Sequence, residues 1–302
     1  MVISTLDGRA GIDAALVKRL IAAQFPQWAD LPVVPVERDG NDNRTYRLGE
    51  EMTARLPTAA GYVAGVAKEN EWLPRLAPHL PLPIPKVLGT GAPGEGYPHP
   101  WSIRNWLPGT TLDLERLADP AMFATDLAAF IHALQACDTT DGPLAGAHSF
   151  YRGASPAHYD DETRRLLTEL EGRVDTRRAA AVWKAALAAE WTGAPVWFHG
   201  DLATGNLLID HGRLSAVIDF GTSGVGDPAC DLVIAWVTLT GRAREAFRGA
   251  VRQDPATWAR ARGWALWKAL IQFAEAIRDH PTTAPTFERV ISDVLDDHDL
   301  HG

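Results

Sequence analysis

The chain has little cysteine: two in 302 residues, Cys137 and Cys230. They share no C-x-x-C spacing, so neither a zinc ribbon nor a disulfide framework is indicated, and both thiols are expected to pack as small apolar groups. The ten histidines include no H-E-x-x-H pair, which removes the usual helical zinc-hydrolase arrangement. No apolar stretch reaches the roughly 20 residues of a bilayer span, because Arg, Lys, Asp or Pro interrupts each one. The opening MVISTLDGRAG has neither the basic start nor the apolar run of a secretory leader. A cytoplasmic protein with no membrane partner is the expectation. Lys/Arg-rich runs are also missing, and the net charge is −9. A nucleic-acid partner is therefore not expected, since phosphate neutralisation carries most of that affinity. The acidic balance leans toward a cationic small substrate, although solubility alone would account for it.

Two nucleotide and nucleophile signatures are absent as well. There is no G-x-x-x-x-G-K-[ST] phosphate loop and no G-x-S-x-G nucleophile elbow. Gly89 to Gly94 spells G-x-G-x-x-G, but Glu95-Gly96-Tyr97-Pro98 follows instead of a helix. A dinucleotide site needs a helix N-terminus at that loop to meet the pyrophosphate. The segment is expected to be a loop between strands.

What is present divides in two. Ile12 to Phe25 places Leu16, Leu20 and Ile21 at helical spacing, and Pro26 stops the run. From Val33 to Leu56 the pattern becomes extended around the turn DGNDN. A helix is expected over Val63 to Leu76, then strands in PLPIPKVLG and PWSIRNWLPG. Beyond Leu107-Pro108-Gly109 helical periods dominate, from Asp119 to Ala136, Pro156 to Leu170, Thr176 to Ala189 and again after Cys230. One β-rich island, VWFHGDLATGNLLIDHGRLSAVIDFG, interrupts them. The expected domains are 1–106 and 107–302, an α+β chain with a small antiparallel sheet first and a larger, mainly helical part after it.

The island holds Asp201, Asn206 and Asp219. A transferring phosphoryl group spreads negative charge over its oxygens, so its catalysis is mostly positioning and cationic stabilisation. Magnesium takes hard oxygen ligands and few of them from protein; one amide and one carboxylate, Asn206 and Asp219, meet that need. Asp201 is then available to accept or orient a hydroxyl proton. The strand NLLID, the turn His211-Gly212 and the strand LSAVIDF form a hairpin that would return Asp219 toward Asn206.

HGDLATGN resembles the catalytic loop of kinases, H-R-D-x-x-x-x-N, and IDFG resembles their magnesium-binding D-F-G element. Glycine after His199, with GVGDPACDL following, is similar to the aminoglycoside and macrolide phosphotransferases, a family with a bilobal protein-kinase-like fold. The resemblance implies Asp201 as catalytic base, Asn206 and Asp219 as metal ligands, and His199 as a brace for the loop. It implies a nucleotide-covering turn at GNDNR with Gly40 and Asn43, and a base held by backbone groups of Asn105, Trp106 and Leu107. Arg55 stands where the family places a phosphate-pairing lysine, with Glu69 as its partner; Lys68 is the fallback cation, read otherwise as a solvated helix residue. Asp227 is read as a helix cap.

The implied reaction is magnesium-dependent transfer of the γ-phosphate of ATP or GTP to a hydroxyl of an antibiotic-like small molecule, aminoglycoside or macrolide. A metabolite kinase of the same fold, acting on choline, homoserine, methylthioribose or fructosamine, is the alternative, and a nucleotide-binding pseudokinase the second. An acceptor cleft rich in carboxylates, drawn from Asp160, Asp161, Glu162, Glu275 and Asp279, would suit a polyamine. A Trp-lined cleft, with Trp264 or Trp267, would suit a macrolide.

Overall fold

A computed structural model describes Arg9 and residues 11–37, 39–40 and 42–302. In chain order these form α1 (Ala14–Gln24), β1 (Val33–Pro35), β2 (Asn43–Leu48), β3 (Met52–Pro57), α2 (Val63–Leu76), β4 (Val87–Gly91), β5 (Trp101–Asn105) and β6 (Thr110–Thr111). The chain continues through α3 (Pro120–Gln135), α4 (Asp160–Glu169), α5 (Thr176–Ala188), β7 (Val196–Phe198), β8 (Leu207–Asp210), β9 (Arg213–Val217) and β10 (Gly224–Gly226). It ends with α6 (Ile234–Val237), α7 (Gly241–Val251), α8 (Pro255–Asp279) and α9 (Ala284–His301). None of the described helices is long and apolar enough to cross a membrane. The described residues fall into two compact units: those of 1–112 with 205–210 and 215–221, and those of 113–204 with 211–214 and 222–302.

The first unit is built on a five-stranded antiparallel sheet of order β1-β2-β3-β5-β4. Side chains alternate faces along a strand, and β3 and β5 use the two faces differently. Ala54, Leu56, Trp101 and Ile103 join Tyr46, Leu48 and the α1 residues Leu16, Val17, Leu20 and Ile21 in one apolar core. Thr53, Arg55, Ser102 and Arg104 alternate with them, and the register Arg55↔Ser102 and Thr53↔Arg104 puts the two arginines on the opposite face. Asp13 fixes the start of α1 by accepting from Leu16 N at 2.7 Å. The helix α2 buries Val66, Glu69, Leu73 and Leu76, a stripe at steps of three and four in which one member is a carboxylate. The strands β6, β8 and β9 form a second small sheet, and the Ile218 N–H donates to Asn206 O at 2.9 Å where that hairpin closes.

The second unit is helical around α8, which packs on α5 and α9 and buries Trp258, Trp264 and Trp267. β7 pairs with β10, with Phe198 opposite Gly224 and Trp197 opposite Val225. Two buried ionic groups tie α8 to the segment after β10. Asp227 caps that segment by accepting from Ala229 N, and its carboxylate also takes two bonds from Arg260, at 2.6 and 3.1 Å. Both side chains are 3% exposed. Desolvation makes such a pair only weakly stabilising in net terms, but removing one partner strands a buried charge. Arg260→Met should therefore lower unfolding stability by about 3–5 kcal/mol. Urea unfolding of the two proteins measures it, and a loss below about 1 kcal/mol would mean that the pair is solvated like a surface one.

Candidate active site

In the first unit the polar face of the sheet meets the buried carboxylate of α2. Glu69 is 4% exposed. Its Oε2 lies 3.1 Å from Arg104 Nη2, and its Oε1 lies 3.5 Å from Arg55 Nη1 while accepting from Phe220 N at 3.1 Å. Arg55 reaches on to Asp219, Nη2 to Oδ1, at 3.0 Å. Burial would depress the Arg55 pKa, but the neighbouring Asp219 and Glu69 carboxylates outweigh it and hold the guanidinium above its usual value. Arg104, nearly sealed from solvent, is pushed below its usual value by burial despite Glu69.

Asp219 has φ +66°, in the left-handed region where Asp is among the few side chains tolerated. Backbone strain of this kind costs on the order of 1–3 kcal/mol and persists where the surroundings fix it; the Phe220 N–H on Glu69 is such a fixture. Asn206 precedes β8, joined through its carbonyl to Ile218, the residue before Asp219. One carboxylate and one amide thus stand at neighbouring positions of the same unit. As a donor set of hard oxygens with few protein ligands, they fit a magnesium ion.

In the second unit the chain leaves β7 as His199-Gly200-Asp201. The Asp231 carboxylate accepts from His199 N and from Gly200 N, each at 2.7 Å. Gly200 has φ +85°, and a Cβ there would fall 2.9 Å from Thr222 O. Glycine is required by both conformation and space. The Asp201 N–H donates to His199 Nδ1 at 3.2 Å, and the His199 carbonyl accepts from Thr222 Oγ1 at 3.0 Å. Asp231 is completely buried, and burial raises its pKa even though His199 and the two N–H groups oppose the rise.

Asp201 carries the chemistry that this brace positions. Lys268 of α8 places Nζ 2.9 Å from its Oδ1. Burial pushes the Asp201 carboxyl up, but Lys268, His199 and Arg152 together outweigh burial and hold it below the usual carboxylate value. Asp201 opens onto a cleft lined by Arg152, Cys230, Trp264, Trp267 and Lys268.

Residues 33–264 match the model of the phosphotransferase enzyme family. The chain belongs to that family.

Solved structures of phosphotransferases are similar to it along nearly its whole length. The GDP complex of wild-type aminoglycoside 2'-phosphotransferase-IIIa has a TM-score of 0.70 at 17% identity, over 95% of this chain and 100% of that one. A thermostable variant of aminoglycoside phosphotransferase APH(4)-Ia, in ternary complex with AMP-PNP and hygromycin B, has a TM-score of 0.63 at 20% identity, over 94% and 98%. Macrolide 2'-phosphotransferase MphH from Brachybacterium faecium, as apoenzyme, has a TM-score of 0.59 at 22% identity, over 94% and 98%. At these identities the likeness shows the fold, and the expected protein-kinase-like α+β architecture is what is found. No curated protein matches the chain in sequence.

Within this phosphotransferase the expected site residues fall as follows. Arg55, Glu69 and Asp219 are joined directly, Asn206 is tied through its carbonyl to Ile218, the residue before Asp219, and Asp201 belongs to the second unit. Gly40 is exposed in the turn before β2, with Asn43 opening that strand opposite Pro57; Asn41 of the same turn lies outside the described residues. Asn105 ends β5, donating from N to Lys86 O at 3.1 Å, and Trp106 N donates to Glu51 O at 2.6 Å. Lys68 is not a solvated residue: it is 8% exposed, and burial brings its pKa down to about 8. Arg104, Arg152 and Lys268 were not foreseen, nor was the bond of Asp231 to the His199-Gly200 backbone. Arg104 had a signal in its strand position, two residues after Ser102 on a face that is otherwise small and polar. Lys268 had none, because it reaches Asp201 across 67 residues of chain.

Lys268→Met tests the electrostatic account of Asp201. Without the ammonium group the burial effect is less opposed, so the Asp201 carboxyl should titrate at higher pH than in wild type. Carboxyl ¹³C NMR titration reads this directly, and an unchanged or lower pKa would contradict it.

Proposed function

We propose that the protein transfers the γ-phosphate of ATP or GTP to a hydroxyl group of a small-molecule acceptor. The observation that carries this reading is Asp201: a carboxylate held ionised against burial, on a loop braced by Asp231, facing a cleft of the second unit. A carboxylate with a depressed pKa is a weak base toward an alcohol. In a loose phosphoryl-transfer transition state the hydroxyl needs orientation more than early deprotonation, and an ionised acceptor of its proton supplies that. Asp201 would take one hydrogen bond from the attacking hydroxyl and receive the proton as the new O–P bond forms and the bond to the departing nucleoside diphosphate breaks.

In the first unit Asn206 and Asp219 would hold magnesium, which when bound supplies charge neutralisation for the phosphate oxygens. Arg55, fixed by Glu69, would bind a phosphate oxygen as the family's lysine does, with a guanidinium able to make two parallel bonds. The turn with Gly40 and Asn43 would cover the phosphates. The base would be read by backbone groups of Asn105, Trp106 and Leu107. Since the N–H groups of Asn105 and Trp106 already donate to Lys86 and Glu51, the donor would be Leu107.

The structural neighbours described with bound nucleotide, GDP in one and AMP-PNP in another, support a nucleoside triphosphate donor. Aminoglycoside and macrolide phosphotransferases among them support an antibiotic-like acceptor. Between the two antibiotic classes the cleft favours a macrolide: its lining includes Trp264 and Trp267, and none of Asp160, Asp161, Glu162, Glu275 or Asp279. That is a poor seat for a polyamine.

The test is release of nucleoside diphosphate from ATP and from GTP, with magnesium, across aminoglycosides, macrolides and small metabolite alcohols. Acceptor-dependent turnover is expected, falling by about 10²–10⁴-fold in Asp201→Asn, the usual range for loss of an acid–base group. Turnover within tenfold of wild type in that variant would remove Asp201 from the reaction.

A further inference from the structure

Two cations and one carboxylate line the cleft onto which Asp201 opens. Most described arginines of both units are matched with carboxylates, as Arg44 is with Asp39, Arg164 with Asp160, Arg178 with Asp296 and Asp299, and Arg244 with Asp293, and in the second unit the others without such a partner, Arg173, Arg177, Arg242 and Arg252, are exposed. Arg152 is neither matched nor exposed. Among the described residues no carboxylate lies within 4.0 Å of its guanidinium, which donates to the Phe150 carbonyl at 3.3 Å and stands 5.2 Å from the Trp267 ring centroid. Lys268 stands on the same cleft, and among the described residues its carboxylate partner is Asp201.

Among the described residues lining the cleft, Asp201 is the only carboxylate. It therefore faces two cations. The acidic groups nearby are already engaged. Asp231, beneath the loop, accepts from two backbone N–H groups at 2.7 Å. Glu162 accepts from Trp267 Nε1 at 2.9 Å and fixes that ring, against which Tyr159 is stacked at 4.1 Å. The remaining walls are apolar, from Leu202, Val233 and Trp264. A guanidinium with unmatched charge at the edge of a partly apolar cleft is the usual recognition element for an oxyanion, because its N–H donors match two oxygens at once.

From this we infer that the acceptor alcohol carries an anionic group, a carboxylate or a phosphate, bound by Arg152 while its hydroxyl meets Asp201. The inference rests on the kinase reading for the role of Asp201 but not for the charge preference of the cleft. A polycationic acceptor would bring its ammonium groups against Arg152 and Lys268. An anionic alcohol neutralises the local excess, while Lys268 keeps its bond to Asp201.

The experiment uses three ligands that differ only in one group: 4-(hydroxymethyl)benzoate, 1,4-benzenedimethanol and 4-(hydroxymethyl)benzylamine. Each has the same ring and hydroxymethyl group, with a negative, neutral or positive substituent opposite. Calorimetric titration of the full chain without nucleotide should give the benzoate an affinity about tenfold or more above the benzylamine, the size of one charge-assisted contact. Arg152→Gln should abolish that preference, and Arg152→Lys should retain most of it, which separates loss of charge from loss of packing. Circular dichroism of each variant reports its folding. Equal affinities, a preference for the benzylamine, no binding of the benzoate, or a preference that survives in Arg152→Gln would each overturn the inference. Because no phosphoryl transfer is involved, failure of the kinase reading would appear in diphosphate release and leave this titration unaffected.

Discussion

One buried carboxylate organises the first unit. Glu69 sits at a position where the periodicity of α2 calls for an apolar residue, between Val66 and Leu73. From there it joins three things that the chain makes separately: the third strand through Arg55, the fifth through Arg104, and the segment after β9 through Phe220 N. Truncating it would leave Arg104 buried without its counter-ion and Arg55 with Asp219 alone, at a cost on the order of 3–5 kcal/mol. The strained backbone of Asp219 is tolerable because of the same contact. A carboxylate that would be a fault in an ordinary amphipathic helix is here the fixed point that holds Arg55 and the Asp219 loop at bonding distance.

The second unit solves a similar problem with backbone donors. Asp231 takes two N–H groups from consecutive residues, His199 and Gly200, which turns the chain so that Asp201 projects from the loop. The turn requires positive φ at Gly200. Burial raises the Asp231 pKa and alone would do the same to Asp201, yet the two carboxyls diverge because only Asp201 meets Lys268 and Arg152. Two carboxylates a few residues apart in space, one serving structure and one exposed to a cleft, are set apart by their partners more than by their burial.

The elements that could be read from sequence were those with local causes. α2 begins and ends as its periodicity requires, and α3 and α5 follow their Asp caps at Asp119 and Asp175. The alternation in WSIRN marks β5, and the two-part α+β organisation follows from where strand patterns give way to alanine-rich helices. Asp201, Asn206 and Asp219 stand out because a short loop and a hairpin carry them with fixed spacing. What could not be read depends on distant contacts. GDPACDL was legible as a structural segment and Asp227 as a cap, but nothing local says that Asp231 bonds backbone thirty residues earlier or that Arg260 closes on Asp227. Lys68 looked like a solvated residue because helical periodicity places it beside, and not within, the apolar stripe; its burial is not a property of the helix. Lys268 and Arg152 reach the cleft from separate elements of the second unit, and a single sequence carries no record of that meeting.

The central claim is that Asp219, held by Arg55 and set in its left-handed turn, binds the metal of a metal–nucleotide complex. Calorimetric titration of ATP and GTP into wild type and Asp219→Ala, each with and without magnesium, tests it most directly. The account predicts that magnesium strengthens nucleotide binding to wild type and that this strengthening is lost in Asp219→Ala, where Arg55 is left to meet the phosphates alone. An equal magnesium dependence in the two proteins would contradict it.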